Sequence, residues 1–204
     1  MKEEHKMFFI WVDLETTGLD PQTREILSVG CRVTNTNLNT LGEIEVDVSW
    51  NGDRYDDMDT AAREMHERSG LLNRCAKSLF SLREALTLVR HLILTKAPGK
   101  PADRVLAGSS VHFDARFLRE ADPSLFSLWH YRMLDVSVFR VLADAGWVDP
   151  WKGDGEPKHT PLADLDASIA ALRFYREHFF LPDPGALVQG KTREQWEAEF
   201  EREP

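Results

Sequence analysis

Cysteine is scarce: Cys31 and Cys75 are the only two in 204 residues, they stand far apart, and no CxxC or Cys/His cluster accompanies them. That spacing points to neither a disulfide framework nor a zinc site, and a reducing, cytoplasmic compartment is the expectation. Long apolar runs are missing too, so no segment reads as a membrane span and no membrane partner is expected. The opening MKEEHKMFFIWVDLE interrupts its lysines with Glu3 and Glu4 and is not expected to be a secretory signal. Positive charge is the third shortage. With 25 Lys and Arg against 34 Asp and Glu, the net charge of −9 argues against wrapping long nucleic acid through many phosphate contacts. It leaves room for a short nucleic acid, drawn in by metal ions that cancel charge where a phosphate would sit. The glycine patterns of P-loops and dinucleotide-binding folds are absent, and there are no repeats.

What is present is an ordinary globular composition, 42% hydrophobic and 29% charged, in a length suited to one domain with a full core. The apolar run from Phe8 leads straight into Asp13-Leu14-Glu15 and reads as a buried strand ending at the loop Thr16-Thr17-Gly18 and Asp20-Pro21. Residues 25–34 form a second strand, and 41–50, alternating apolar and polar, a half-exposed third, so an antiparallel meander is expected. A short helix follows around 60–67. Ser81-Leu82-Arg83-Glu84 is a capping box opening a helix that Pro98 should end near Ala97. Residues 104–108 read as a short strand, 110–120 as a helix, 133–135 as a strand and 137–145 as a helix. The stretch 146–158 reads as a mobile loop. Pro161 sits at a first helical position, with Leu162, Leu165, Ile169, Leu172 and Phe179 on one face of a long helix. Strands first, then alternating helices and strands, imply an α/β layer architecture around a mixed sheet.

The chemistry is in the acids. Asp13 and Glu15, two apart on a strand, project from the same face. Side by side at the end of an apolar strand they repel and resist desolvation unless a cation sits between them, and Mg²⁺ or Mn²⁺ suits such oxygen donors. The plainer alternative is an exposed loop start with surface ion pairs. Asp114 and Asp164 are further separated acidic positions. Asp166 rivals Asp164 but points elsewhere on a helix. His159, five positions ahead of Asp164 and so off its helical face, is expected on the flexible loop before Pro161.

The succession DLETTGLD, GSSVHFDARFL, HYRMLDVS and then HxxxxD before SIAALRFYREHF resembles the oligoribonucleases, within the DEDDh family of 3′→5′ exonucleases, over about residues 8 to 180. The resemblance implies an RNase H-like fold, a mixed β-sheet flanked by α-helices, with residues 1–182 as the exonuclease domain and 183–204 as a solvated or partly helical extension. It implies that Asp13, Glu15, Asp114 and Asp164 hold two divalent ions, Mg²⁺ or Mn²⁺, and that His159 is the general base, a task suited to a side chain titrating near neutrality. It further implies that Leu19 wedges at the bases and that His66 lines the substrate site. Ser110 and Ser137, with Tyr131 and Arg132 of a partner subunit, would cap the 5′ phosphate, making a homodimer necessary. The implied substrate is very short single-stranded RNA, two to five nucleotides, released as nucleoside 5′-monophosphates. Ala61 departs from the Trp that several relatives use for stacking, and Ser109 from the usual Asn. A general single-stranded DNA or RNA exonuclease of proofreading type is the alternative. A non-catalytic dimeric binding module, of another class, should have lost a metal ligand, and none is missing.

Overall fold

The computed structural model describes residues 6–153 and 159–179. Five strands, β1 Phe8–Thr16, β2 Ile26–Asn35, β3 Thr40–Asp47, β4 Arg104–Gly108 and β5 Met133–Asp135, form one sheet in the order β3-β2-β1-β4-β5. β1, β2 and β3 are the expected antiparallel meander, while β4 and β5 run parallel to β1 and make the sheet mixed. The helices are α1 Thr60–Ser69, α2 Leu71–Cys75, α3 Leu82–Lys96, α4 Val111–Ala121, α5 Ser137–Asp144 and α6 Pro161–Phe179.

The central strand divides the core by parity. Phe8, Ile10, Val12 and Leu14 face one side, where they pack with Leu86, Val89 and Ile93 of α3 and Val111, Ala115 and Leu118 of α4. Phe9 and Trp11 face the other, with Leu165, Ile169 and Leu172 of α6. A strand buried on both faces must be apolar throughout, so the run FFIWV carries no hydrophobic alternation. Trp11 satisfies its indole N–H on the Thr34 hydroxyl at 3.0 Å, as a buried Trp must.

Most element expectations match, with two differences. β1 runs through Asp13 and Glu15 to Thr16, where the expected loop begins. β3 ends at Asp47, three residues before the expected Trp50. α2 was not anticipated, because five residues after Gly70 are too few to show a helical period. The Ser81–Glu84 capping box is formed in both directions, and α6 begins at Pro161. On α6, Tyr175 is buried where the spacing favoured Phe179, which is exposed. The extension 183–204 and residues 154–158 of the 146–158 loop lie outside the described residues.

Candidate active site

β1 outruns its parallel neighbour. Pairing with β4 ends at Trp11 and Ala107, whereas pairing with β2 continues along the strand. The last residues of β1 therefore have an open edge, and α4 enters it after a tight turn: a Cβ on Gly108 would lie 3.0 Å from the Val12 carbonyl oxygen. Asp114, in the first turn of α4, occupies this edge, its Oδ1 accepting the Leu14 N–H at 3.0 Å. Without that bond a buried backbone donor would go unpaired.

Asp13 and Glu15 have the parity of Phe9 and Trp11 and so face α6. Beside Asp13 on β2 stands Gly30, where a Cβ would fall 2.4 Å from the Pro161 Cβ. Only glycine lets the first turn of α6 come this close to the sheet. Asp164 arrives with it, and oxygens of Asp13, Glu15 and Asp164 lie within 4.8 Å of one another. Arg32 grips Asp166 at 2.5 Å and Glu43 at 2.6 Å, so the rival acid of α6 is occupied as a tether to the sheet.

Burial and mutual repulsion make this group reluctant to ionise. Asp13 is pushed well above the ordinary carboxylate range, first by desolvation and then by Asp114, Asp164 and Glu15. Glu15 rises to about 8, again chiefly through burial, with Asp164 adding and Arg74 opposing. Asp114 rises to about 7 by burial, partly offset by its backbone hydrogen bonds, and burial raises Asp164, which His159 draws back down. Hard oxygen donors converging at such cost fit a divalent metal cation.

His159 stands immediately before α6 with φ of 49°, an uncommon region for a residue with a Cβ. Its imidazole acts on both Asp164, which it draws down, and His66 through charge. His66 is fully buried in α1. Its Nε2 lies 2.8 Å from the Thr16 carbonyl oxygen, which can only accept, so the proton sits on Nε2. The bare Nδ1 has no hydrogen-bond partner among the described residues and lies 3.7 Å from Glu15 Oε2. His66 thus backs Glu15 from inside the fold.

Leu19 projects from the loop after β1 with 71% of its surface exposed. That loop is clamped: the Leu19 N–H donates to Asp59 Oδ2 at 3.1 Å and its carbonyl accepts from Arg116 at 3.0 Å. Ser110, in a left-handed conformation, and Ser137 are brought together by one atom, Asp135 Oδ1, which accepts the Ser110 N–H at 2.9 Å, the Ser137 N–H at 2.9 Å and the Ser137 hydroxyl at 2.7 Å. Tyr131 and Arg132 stand exposed ahead of β5, the guanidinium 5.3 Å from the Tyr131 ring centre. Ala61 and Ser109 are both exposed.

The family model described as Exonuclease matches residues 10–172. An oligoribonuclease of Corynebacterium glutamicum is 39% identical over 86% of this chain and 81% of its own length, and one of Pseudomonas savastanoi is 38% identical over 88% and 99%. The chain belongs to the oligoribonuclease family of exonucleases. Among solved structures, the zinc-bound exonuclease I of E. coli in complex with single-stranded DNA superposes with a TM-score of 0.65 at 16% identity, covering 95% of this chain and 45% of that one. An exonuclease I from Methylocaldum szegediense gives 0.64 at 19% identity over 85% and 41%. The chain spans less than half of either, and at such identity the likeness shows a shared RNase H-like fold.

Within this oligoribonuclease-family site, sequence reasoning missed Glu45, Asp59 and Asp135. Glu45 Oε2 accepts the Leu162 N–H at 2.9 Å, at the start of α6. Its signal was present but ambiguous, since Glu43, Glu45 and Asp47 form the polar stripe of β3 and read as a solvent face. Asp135-Val136-Ser137 has the spacing of a side-chain turn, which could have pointed to the link between the serines.

Proposed function

We propose that this chain is a metal-dependent 3′→5′ exoribonuclease that degrades very short RNA, dinucleotides above all, to nucleoside 5′-monophosphates, and that it works in the cytoplasm. The observation carrying this reading is the meeting of Asp13, Glu15 and Asp164 within 4.8 Å of one another, with Asp114 against the same strand end. These four residues would hold two ions, Mg²⁺ or Mn²⁺. When bound, such ions neutralise the acids, orient the scissile phosphate and ease deprotonation of water and departure of the 3′ oxygen.

The chain's own groups do the rest. His159, beside Asp164 and ahead of the α6 turn, accepts the proton of the attacking water. Asp164 favours the imidazolium that results. Leu19, held by its backbone on both sides, offers a rigid apolar contact to a base, and His66, wholly buried, sits behind Glu15 without hydrogen-bonding it. Ser110 and Ser137, set by Asp135, together with Tyr131 and Arg132 from a partner copy, form the 5′-phosphate cap. A guanidinium suits that task because its planar fork can grip two phosphate oxygens. A cap on one end and chemistry at the other make a length gauge. Residues 1–182 form the one domain that does this, consistent with a family match over 10–172.

The test is turnover of 5′-labelled two-residue and seven-residue RNA and DNA with Mg²⁺, Mn²⁺ or chelator. Dinucleotide RNA should be cleaved fastest, and chelator or Asp13→Ala should abolish cleavage. Equal rates on the longer DNA would instead support the proofreading-type alternative. His159→Ala should retain Mn²⁺ affinity while turnover falls by roughly 10²–10⁴.

A further inference from the structure

Across the sheet, Asp13 of β1, Gly30 of β2 and Glu45 of β3 are successive cross-strand neighbours, so all three share the face that α6 covers. The middle position has no side chain, and Pro161 fills the space. Proline at the first helical position has no N–H, which makes the Leu162 amide the first backbone donor of α6. That donor goes to Glu45 Oε2 at 2.9 Å. A carboxylate at a helix N-terminus is stabilising, yet here it also opposes ionisation of Asp13, Glu15 and Asp164. A residue that adds to the repulsion in the site while capping the helix bearing Asp164 calls for an account of what it does there.

We infer that Glu45 is a positioning residue: by accepting the Leu162 N–H it pins the first turn of α6 over Gly30 and so sets where Asp164 and the adjoining His159 stand relative to Asp13 and Glu15. Asp164 is two residues beyond Leu162 and its own N–H bonds to the Thr160 carbonyl at 3.0 Å, so the pinned turn and the ligand are one rigid unit. Glu45 acts through backbone geometry and contributes no ligand atom; its oxygens are not among those that converge. The inference rests on the reading that these acids bind divalent metal.

Substitutions at Glu45 separate geometry from charge. Glu45→Gln keeps a carbonyl oxygen at the same reach and drops the charge, whereas Glu45→Asp keeps the charge and withdraws the acceptor by one methylene. Mn²⁺ affinity without substrate, measured by calorimetry, should stay within about threefold of wild type for Glu45→Gln and weaken roughly 10-fold to 100-fold for Glu45→Asp and Glu45→Ala. Leu162 amide hydrogen exchange in metal-free protein should speed up in the latter two and not in Glu45→Gln. The inference is overturned if Glu45→Gln loses Mn²⁺ as badly as Glu45→Ala, which would mark a charge or ligand role, or if Glu45→Asp and Glu45→Ala bind like wild type. Failure of the underlying metal reading looks different: wild type would bind no Mn²⁺ at all, and the exchange of the Leu162 amide would then decide the pinning by itself.

Discussion

At the scale of residues, the site is defined by carboxyl groups held where they do not want to be charged. Glu15 moves from 4.5 to about 8 and Asp114 from 3.8 to about 7 on folding. Both therefore bind protons more readily folded than unfolded, and the sign follows: their contribution is intact below the ordinary carboxylate range and is lost as pH rises through about 8 for Glu15 and about 7 for Asp114. The chelated protein should thus melt at a lower temperature at about pH 8 than at about pH 6 on account of these groups, and the increase in Tm from added Mn²⁺ should grow over that interval. A thermal-shift series with and without Mn²⁺ checks both; a Mn²⁺ increment independent of pH would contradict the assignment. His66 makes a related point. Its tautomer is invisible from sequence because it is decided by the Thr16 carbonyl, a backbone atom fifty positions away.

At the scale of elements, the N-terminal end of α6 is docked by three devices: the bare Gly30, the cap from Glu45 and the tether between Arg32 and Asp166. Gly30→Ala puts a methyl into Pro161, so α6 must lift at its first turn. The expected outcome is a stability loss of about 1–3 kcal/mol together with weaker Mn²⁺ binding, read by denaturant unfolding and metal titration. Asp166→Ala behaves differently. Asp166 is largely exposed and its pair contributes about 0–1 kcal/mol, so metal affinity and turnover should stay near wild type, whereas Asp164→Ala should lose both. Helical spacing alone indicated that these two acids point apart; the structure shows where the second one goes.

At the scale of the whole molecule, α5 is the α-helix without a buried residue among the described residues. Val138, Val141 and, just beyond it, Trp147 are exposed. It follows β5, an edge strand of the sheet, which separates it from Tyr131 and Arg132. An apolar helix face beside an open strand edge supports the proposed homodimer. Val141→Arg should shift the protein to monomer in sedimentation and reduce dinucleotide turnover, while leaving Mn²⁺ affinity unchanged because every acid of the cluster comes from one chain. A monomeric variant with full dinucleotide activity would remove the partner-supplied cap. Among the described residues no helix is long and apolar enough to cross a membrane.

How much of this was legible in the linear chain follows a physical rule. Local rules reach local features: the two-sided burial of FFIWV, the capping box at Ser81, Pro161 as a helix start and the shared face of Asp13 and Glu15 all depend on residues within a turn or a strand of each other. The polar stripe Glu43, Glu45 and Asp47 shows where such rules stop. By alternation it is a wet face, yet in the fold Glu43 holds Arg32, Glu45 caps α6 and Asp47 binds Arg74 at 2.8 Å. The amino-acid order by itself determined the candidate acids and the strand and helices that present them, because those follow from periodicity, capping and motif. Their meeting in space was decided by tertiary packing alone, since it depends on a strand outrunning its neighbour, on a glycine that lets a helix approach, and on donors that find acceptors a hundred or more residues away.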